Sequence, residues 1–455
     1  MMETITYLNL KVGETPITRI IDLHMENGVN QYGRAHVEGE VTFAEGNDFV
    51  NRIQPDTMVT ISTEAQGQPQ ILFRGVIANA GVKREADYAV LTLELSAMAA
   101  KLDREKEHRS FQKTGSTYAE IINKALNGRA ELQMEVPDHA TGSLIMQYNE
   151  TAWEFSKRMA SAFGAPVCAD VTEPKPVLTI GIPSTGKSYQ FSDVEYGFSS
   201  EDNAMSTMLT GTQAVRIGDG ISYSGSTNVV KKYKSQMQGG VLKTTVYVMP
   251  EGEARSCRSG RGSVPRVTNT QAAGKMFTGV VQEVQRDKVR VHLLDIDESF
   301  DGGGDFWFPY STAYSSSDGS GFYCMPAQND IVRVFFPSDN EADAFAASSV
   351  NVSPLDNPLH KKWRSPAGKE ILFTEEGLYI TCKDERIFID LEDETGVTIC
   401  SDKDISVSSK TNMMLYAKQG ITLHSENKIL ISTGEAYIDI TDKLIQMGAQ
   451  QILIN

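Results

Sequence analysis

The sequence predicts a mainly β chain that ends in an intertwined, trimeric β-helix. Three observations carry this. From Ile389 an apolar pair returns every eight positions: Ile389/Leu391, Val397/Ile399, Ile405/Val407, Met413/Leu415, Ile421/Leu423 and Ile429/Ile431. Upstream, short apolar runs alternate with Gly, Asn, Asp and Pro clusters over most of the chain. The pattern turns helical at only two short, capped stretches in the middle.

In each octad pair a polar or small residue (Asp390, Thr398, Ser406, Thr422) separates the apolar ones, so each pair is a short strand with one buried face. The connections, such as Ser401–Asp404 and Lys418–Gly420, suit tight corners. Repeated units of this kind stack as a solenoid. Two inward residues per repeat are too few for one chain to enclose a core, whereas several chains around one axis need one stripe each. An ordinary meander with loops of equal length is the plain alternative, and six consecutive matches argue against it. The register slips at Asp439 and resumes at Ile445/Met447 and Leu453.

Taken in order, residues 1–105 read as a first β region, with strand-like runs at Ile5–Val12, Ala35–Phe43, Met58–Ile61, Gln70–Ala78 and Tyr88–Leu95. Residues 106–164 form a helical connecting segment. Thr117-x-x-Glu120 caps a helix that stops at Asn127-Gly128, and Thr151-x-x-Glu154 caps one that stops at Gly164. Residues 165–250 return to β, and 251–271, rich in Arg, Ser and Gly, read as a linker or extended crossing. Five expected strands in 272–352 (Phe277–Val284, Lys288–Leu294, Phe306–Pro309, Gly321–Cys324, Asp330–Phe336) suit a small barrel of the OB-fold type. A Pro-containing connector, 353–372, then leads into the β-helix of 373–455.

The chain has 455 residues, enough for three or four domains. A formal charge of −16 and the lack of a basic, aromatic-laced groove speak against nucleic acid as a partner. The start lacks the basic flank and apolar run of a secretion signal, so synthesis in a bacterial cytoplasm is expected. Five scattered cysteines suggest neither disulfides nor a metal knuckle, and the seven dispersed histidines show no zinc-like spacing. No cofactor or metal is expected.

The order of these regions resembles the VgrG family and its phage baseplate hub-and-spike relatives. Local stretches agree: Ser96–Gln112, Tyr148–Phe155, Met325–Phe336 and Ser365–Ile371 resemble the end of the first hub barrel, the second-helix motif, the small-barrel signature and the start of the needle. The resemblance implies two hub β-barrels (1–105 and 165–250) with a short helical insertion, forming in three copies a pseudo-sixfold ring. It implies a homotrimer whose partners are the hexameric inner tube and baseplate proteins, with the target cell envelope met on firing. The twelve octad residues from Ile389 to Ile431 named above would form the trimer core of the needle. Tryptophans and glycines common in the small barrel of type VI members are sparse here, which points to a phage-tail-like or extracellular particle. An open β-helix end exposes strand edges, so Ile452, Leu453, Ile454 and Asn455 are expected to meet a separate PAAR-like tip protein.

Enzymatic readings fare poorly. Gly181–Ser188 matches G-x-x-x-x-G-K-[ST], but a phosphate loop needs a helix at its lysine, and Tyr189–Phe198 is aromatic and β-prone. Acidic pairs such as Glu201/Asp202 and Asp295/Asp297 read as solvated loops. Only about 15–20 residues separate Asn351 from the needle, too few for a catalytic domain. A non-enzymatic hub-and-spike protein is expected. The alternative is a trimeric tailspike or adhesin that binds or cleaves surface glycans.

Overall fold

In a computed structural model, residues 4–64, 69–191, 193–199, 204–297 and 304–454 are described. They fall into two units, Met1–Val350 and Asn351–Asn455.

The first unit begins with β1 (Leu10–Gly13), β2 (Arg19–Gly28), β3 (Arg34–Val41), α1 (Phe43–Arg52), β4 (Met58–Thr63), β5 (Gln70–Arg84) and β6 (Ala89–Ala97). β3 and β4 alternate between covered and uncovered residues, so one face of each packs on a core that includes Leu23, Val37, Ile61, Phe73 and Leu91. The expected Ile5–Val12 strand is shorter, β2 was not foreseen, and neither was α1. Phe43–Arg52 contains Gly46 and Asn47, poor helix formers, but Thr42 caps it by accepting from the Glu45 amide.

Next come β7 (Lys106–Phe111), α2 (Tyr118–Leu126), β8 (Glu131–Met134), β9 (Ile145–Thr151), α3 (Ala152–Ser161), β10 (Val167–Ala169) and β11 (Val177–Ile180). Both helices carry the expected reciprocal capping boxes. Asn127 and Gly128 adopt left-handed conformations that end α2, and Gly164 does so after α3. Trp153, Phe155 and Met159 on α3 meet Ile121 and Ile122 on α2 in a shared core. β10 pairs with β11 and β11 with β8, not with the later strands, and both pack in that same core. The helical segment therefore extends past 164, because apolar Val167, Leu178 and Ile180 face its helices rather than the second sheet.

β12 (Ser188–Gln190), β13 (Asp193–Ser199), β14 (Ala204–Gly211), β15 (Gly220–Tyr223), β16 (Ser226–Gln238) and β17 (Val241–Pro250) follow. Here the two halves merge. β2 pairs antiparallel with β16, giving one twelve-stranded sheet whose main path is β1-β4-β5-β6-β3-β2-β16-β17-β14-β13. The two expected barrels are thus half-barrels joined edge to edge, so each half gives an edge strand a partner.

Residues 251–271 are no free linker. α4 (Glu251–Arg258) buries Ala254 and Cys257 against the second sheet core. Beyond it, Gly262 crosses Gly164 so closely that a Cβ on Gly262 would lie 2.2 Å from the Gly164 carbonyl oxygen. The Val264 amide donates to that same oxygen at 3.1 Å. The low apolar content that suggests a linker or extended crossing lets two backbones touch here.

β18 (Met276–Gln285), β19 (Lys288–Leu293), β20 (Phe308–Ser311), β21 (Ile331–Phe335) and β22 (Phe345–Ser349) close a barrel in the order β18-β19-β20-β22-β21. Four expected strands are present. Gly321–Cys324 is not one, and the fifth strand is β22, which closes the barrel by pairing parallel with β20. The barrel is joined to the helical segment. Leu144 and Met146 enter its core, Gln112 donates to the Val291 carbonyl at 3.0 Å, and the Ser110 amide donates to Asp297 at 2.6 Å.

The second unit holds β23 (Lys361–Arg364), β24 (Glu370–Phe373), β25 (Gly377–Thr381), β26 (Phe388–Glu392) and β27 (Gly396–Cys400) in one antiparallel sheet, and β28 (Lys428–Thr433), β29 (Ala436–Thr441) and β30 (Ile445–Gly448) in another. Strand structure starts at 361, inside the expected connector, because Lys361–Arg364 pairs with Glu370–Phe373 across the Ser365–Lys369 turn.

Candidate functional site

In the second unit the residues expected at an interchain core stand in register. Leu378, Leu391 and Val397 lie side by side across β25, β26 and β27, and Ile380, Ile389 and Ile399 form the next row. Their face is the open one. In β26, Ile389 and Leu391 are exposed while Phe388, Asp390 and Glu392 are partly covered, the reverse of a sheet that buries its apolar side. Trp363, Ile371, Ile380 and Ile389 line an open cavity of about 450 Å³.

From Ser401 to Asn427 the chain forms no strand, and its residues are exposed apart from Ser401. This stretch holds Ile405, Val407, Met413, Leu415, Ile421 and Leu423; Val407 is 73% and Leu415 70% exposed. Among the described residues no backbone-to-backbone hydrogen bond involves these positions. Three octads thus leave their apolar side chains exposed and their peptide groups without backbone partners in the chain, a costly state if it were final. Ile429 is partly covered and Ile431 is exposed on β28. At the end, Ile452, Leu453 and Ile454 are exposed, and Asn455 lies outside the described residues.

The nucleotide-loop motif is a turn between strands. After β11 the chain passes Gly181, whose φ is +100°, and Lys187 leads into β12 rather than a helix. Thr185 donates to Asp219 at 2.6 Å, so the loop is held by its own acid. Of the acidic pairs, Glu201/Asp202 lies outside the described residues. Asp295 accepts from the Thr278 amide at 2.5 Å, and Asp297 is buried against Ser110; burial pushes its carboxyl up, against the hydrogen bonds from Ser110.

Two side-chain groups were not legible in the sequence. Arg158 on α3 is buried, donating to Glu150 at 2.7 and 2.8 Å and to Glu341 beside the barrel at 3.0 Å. Burial disfavours its charge, yet the two carboxylates hold the guanidinium above its ordinary range. The other group is Asp22, His24 and His36, whose ligand atoms lie within 4.8 Å of one another. Asp22 and His24 share β2, and the register of β2 with β3 sets His36 beside them.

Residues 35–180 match the family described as phage tail baseplate hub (GPD). No curated protein matches the chain in sequence. Among solved structures, an E. coli protein, c3393, described as a type VI secretion system component similar to the T4 bacteriophage tail proteins gp27 and gp5, is 14% identical with a TM-score of 0.53. The match covers 75% of this chain and 99% of that one. The Francisella PdpA-VgrG complex gives 8% identity and a TM-score of 0.50, covering 86% of this chain and 87% of that one. These likenesses are of fold. Residues 35–180 thus carry the baseplate-hub family match, and the chain around them shares the fold of these two structures.

Proposed function

We propose that three copies of this chain assemble into the hub and membrane-piercing spike of a contractile injection particle. The observation that carries the reading is the Ser401–Asn427 stretch, whose apolar pairs are exposed and whose peptide groups make no backbone-to-backbone hydrogen bond among the described residues. Neighbouring chains supply partners for both. Three stripes are the fewest that wall in a rod-shaped core, and the residues from Ile389 to Ile431 become that core. At about 1.5–3 kcal/mol per buried aliphatic side chain, the gross gain per chain is on the order of tens of kcal/mol. Interchain strand pairing along the rod gives it stiffness under load.

The hub would match a hexameric inner tube, with three copies each contributing two half-barrels. Sheath contraction, powered elsewhere, would drive tube and spike through an envelope, so the work is mechanical and non-enzymatic. Baseplate proteins surround the hub, and a separate PAAR-like protein caps exposed Ile452–Ile454. The particle is of the phage-tail-like or extracellular type, made in the cytoplasm and released or fired outward.

The test is the native mass and SDS resistance of the full chain beside a truncation ending at Val350. A full-length trimer that survives SDS without boiling, with resistance lost on truncation, is expected. A full-length monomer would overturn the reading.

A further inference from the structure

We propose that the open face of the large sheet carries a transition-metal site of the zinc class, built by His24, His36 and Asp22. His24 on β2 and His36 on β3 are direct cross-strand partners, so their side chains rise from the same face. Their rings stack with centroids 4.8 Å apart and an 18° interplanar angle. Glu94 on β6 is the cross-strand partner of His36 on its other side, and its Oε1 lies 2.6 Å from His36 Nδ1. That contact is the carboxylate–histidine arrangement that fixes a ligand's tautomer: it places the proton on Nδ1 and leaves Nε2 with its lone pair free for a metal. His36 Nε2 has Glu38 Oε1 at 3.6 Å, and His24 Nδ1 has Asp22 Oδ2 at 3.2 Å.

Ligands of a tetrahedral zinc ion, each at about 2.0–2.1 Å from the metal, sit roughly 3.3 Å from one another. The three ligand atoms here lie within 4.8 Å, so small side-chain rotations close the set. His36 is held by Glu94, while the His24 side chain, beside Asp22, is half-exposed. The site opens into a cavity of about 450 Å³ that also meets Arg34, Lys234 and Gln236; Lys234 is turned to Glu26 at 3.6 Å. Water completes the coordination from this open side. Imidazole with carboxylate favours Zn²⁺ and its neighbours over Ca²⁺ or Mg²⁺. The ion would clip β2 to β3 beside the β2·β16 seam that joins the two half-barrels.

The test uses the full chain without a polyhistidine tag, stripped with chelator and titrated calorimetrically with ZnCl₂, with CaCl₂ as control. One saturable zinc per chain is expected. His24→Ala, His36→Ala and Asp22→Asn each weaken it at least about tenfold, and Glu94→Gln does so by roughly 10–100-fold. His360→Ala, in the other unit, leaves it unchanged. Circular dichroism verifies that each variant is folded. No saturable zinc binding, or binding that His24→Ala and His36→Ala leave intact, overturns the proposal.

Discussion

The two units answer the same demand, burial of apolar surface, in opposite ways. Among the described residues, Met1–Val350 encloses four hydrophobic cores within a single chain. Asn351–Asn455 has strands of equal apolar regularity, yet Val397, Ile405 and Leu423 face outward. The difference lies in repeat length. Long strands such as β5 and β16, of 15 and 13 residues, can curl over a core of their own, whereas each octad exposes one short apolar stripe.

The contrast can be broken most forcefully in the needle. Replacing Ile405 and Val407 together by Asp puts six charges into the proposed three-chain core; the SDS-resistant trimer should vanish on native mass analysis, while the first unit keeps its circular dichroism. Next in size is Arg158→Met. It leaves Glu150 and Glu341 buried without their cation and should cost about 3–5 kcal/mol in denaturant unfolding. Adding Glu150→Gln and Glu341→Gln should restore most of it, with oligomer state untouched throughout. Gly262→Ala sharpens the claim that 251–271 is packed. The clash with the Gly164 carbonyl should cost about 1–3 kcal/mol, whereas a free linker would show nothing. Smallest of all, Lys187→Ala should stay within about 0.5 kcal/mol of the parent chain, and nucleotide should not shift the melting temperature of either.

What the sequence made legible was whatever rests on short-range rules. Thr117/Glu120 and Thr151/Glu154 announced their capping boxes, and β18, β19 and β21 followed from alternation. The octads were visible because their spacing repeats. Long-range pairing was not legible. Nothing local in β2 says that its neighbour is β16, and Ala346 and Ala347 in β22 are too small to signal the strand that closes the barrel. The Arg158 triad was hidden for the same reason, since Glu341 joins it only once the barrel is in place, whereas the His24/His36 pair needed the register of two consecutive strands. At 251–271 composition misled, because close-packed glycines and a solvated linker look alike on paper.

The β2·β16 seam also bears on how the chain is made. Its paired residues, Gly28 and Lys232 among them, are about two hundred positions apart. At roughly 5–20 residues per second, β2 leaves the ribosome on the order of 10–40 s before its partner exists. For that interval one edge of the nascent first sheet must be sheltered or must simply wait, and contacts of such separation fold slowly. The octads are translated after β16, so in the proposed trimer the chains would meet through them only after the seam has had its opportunity to close.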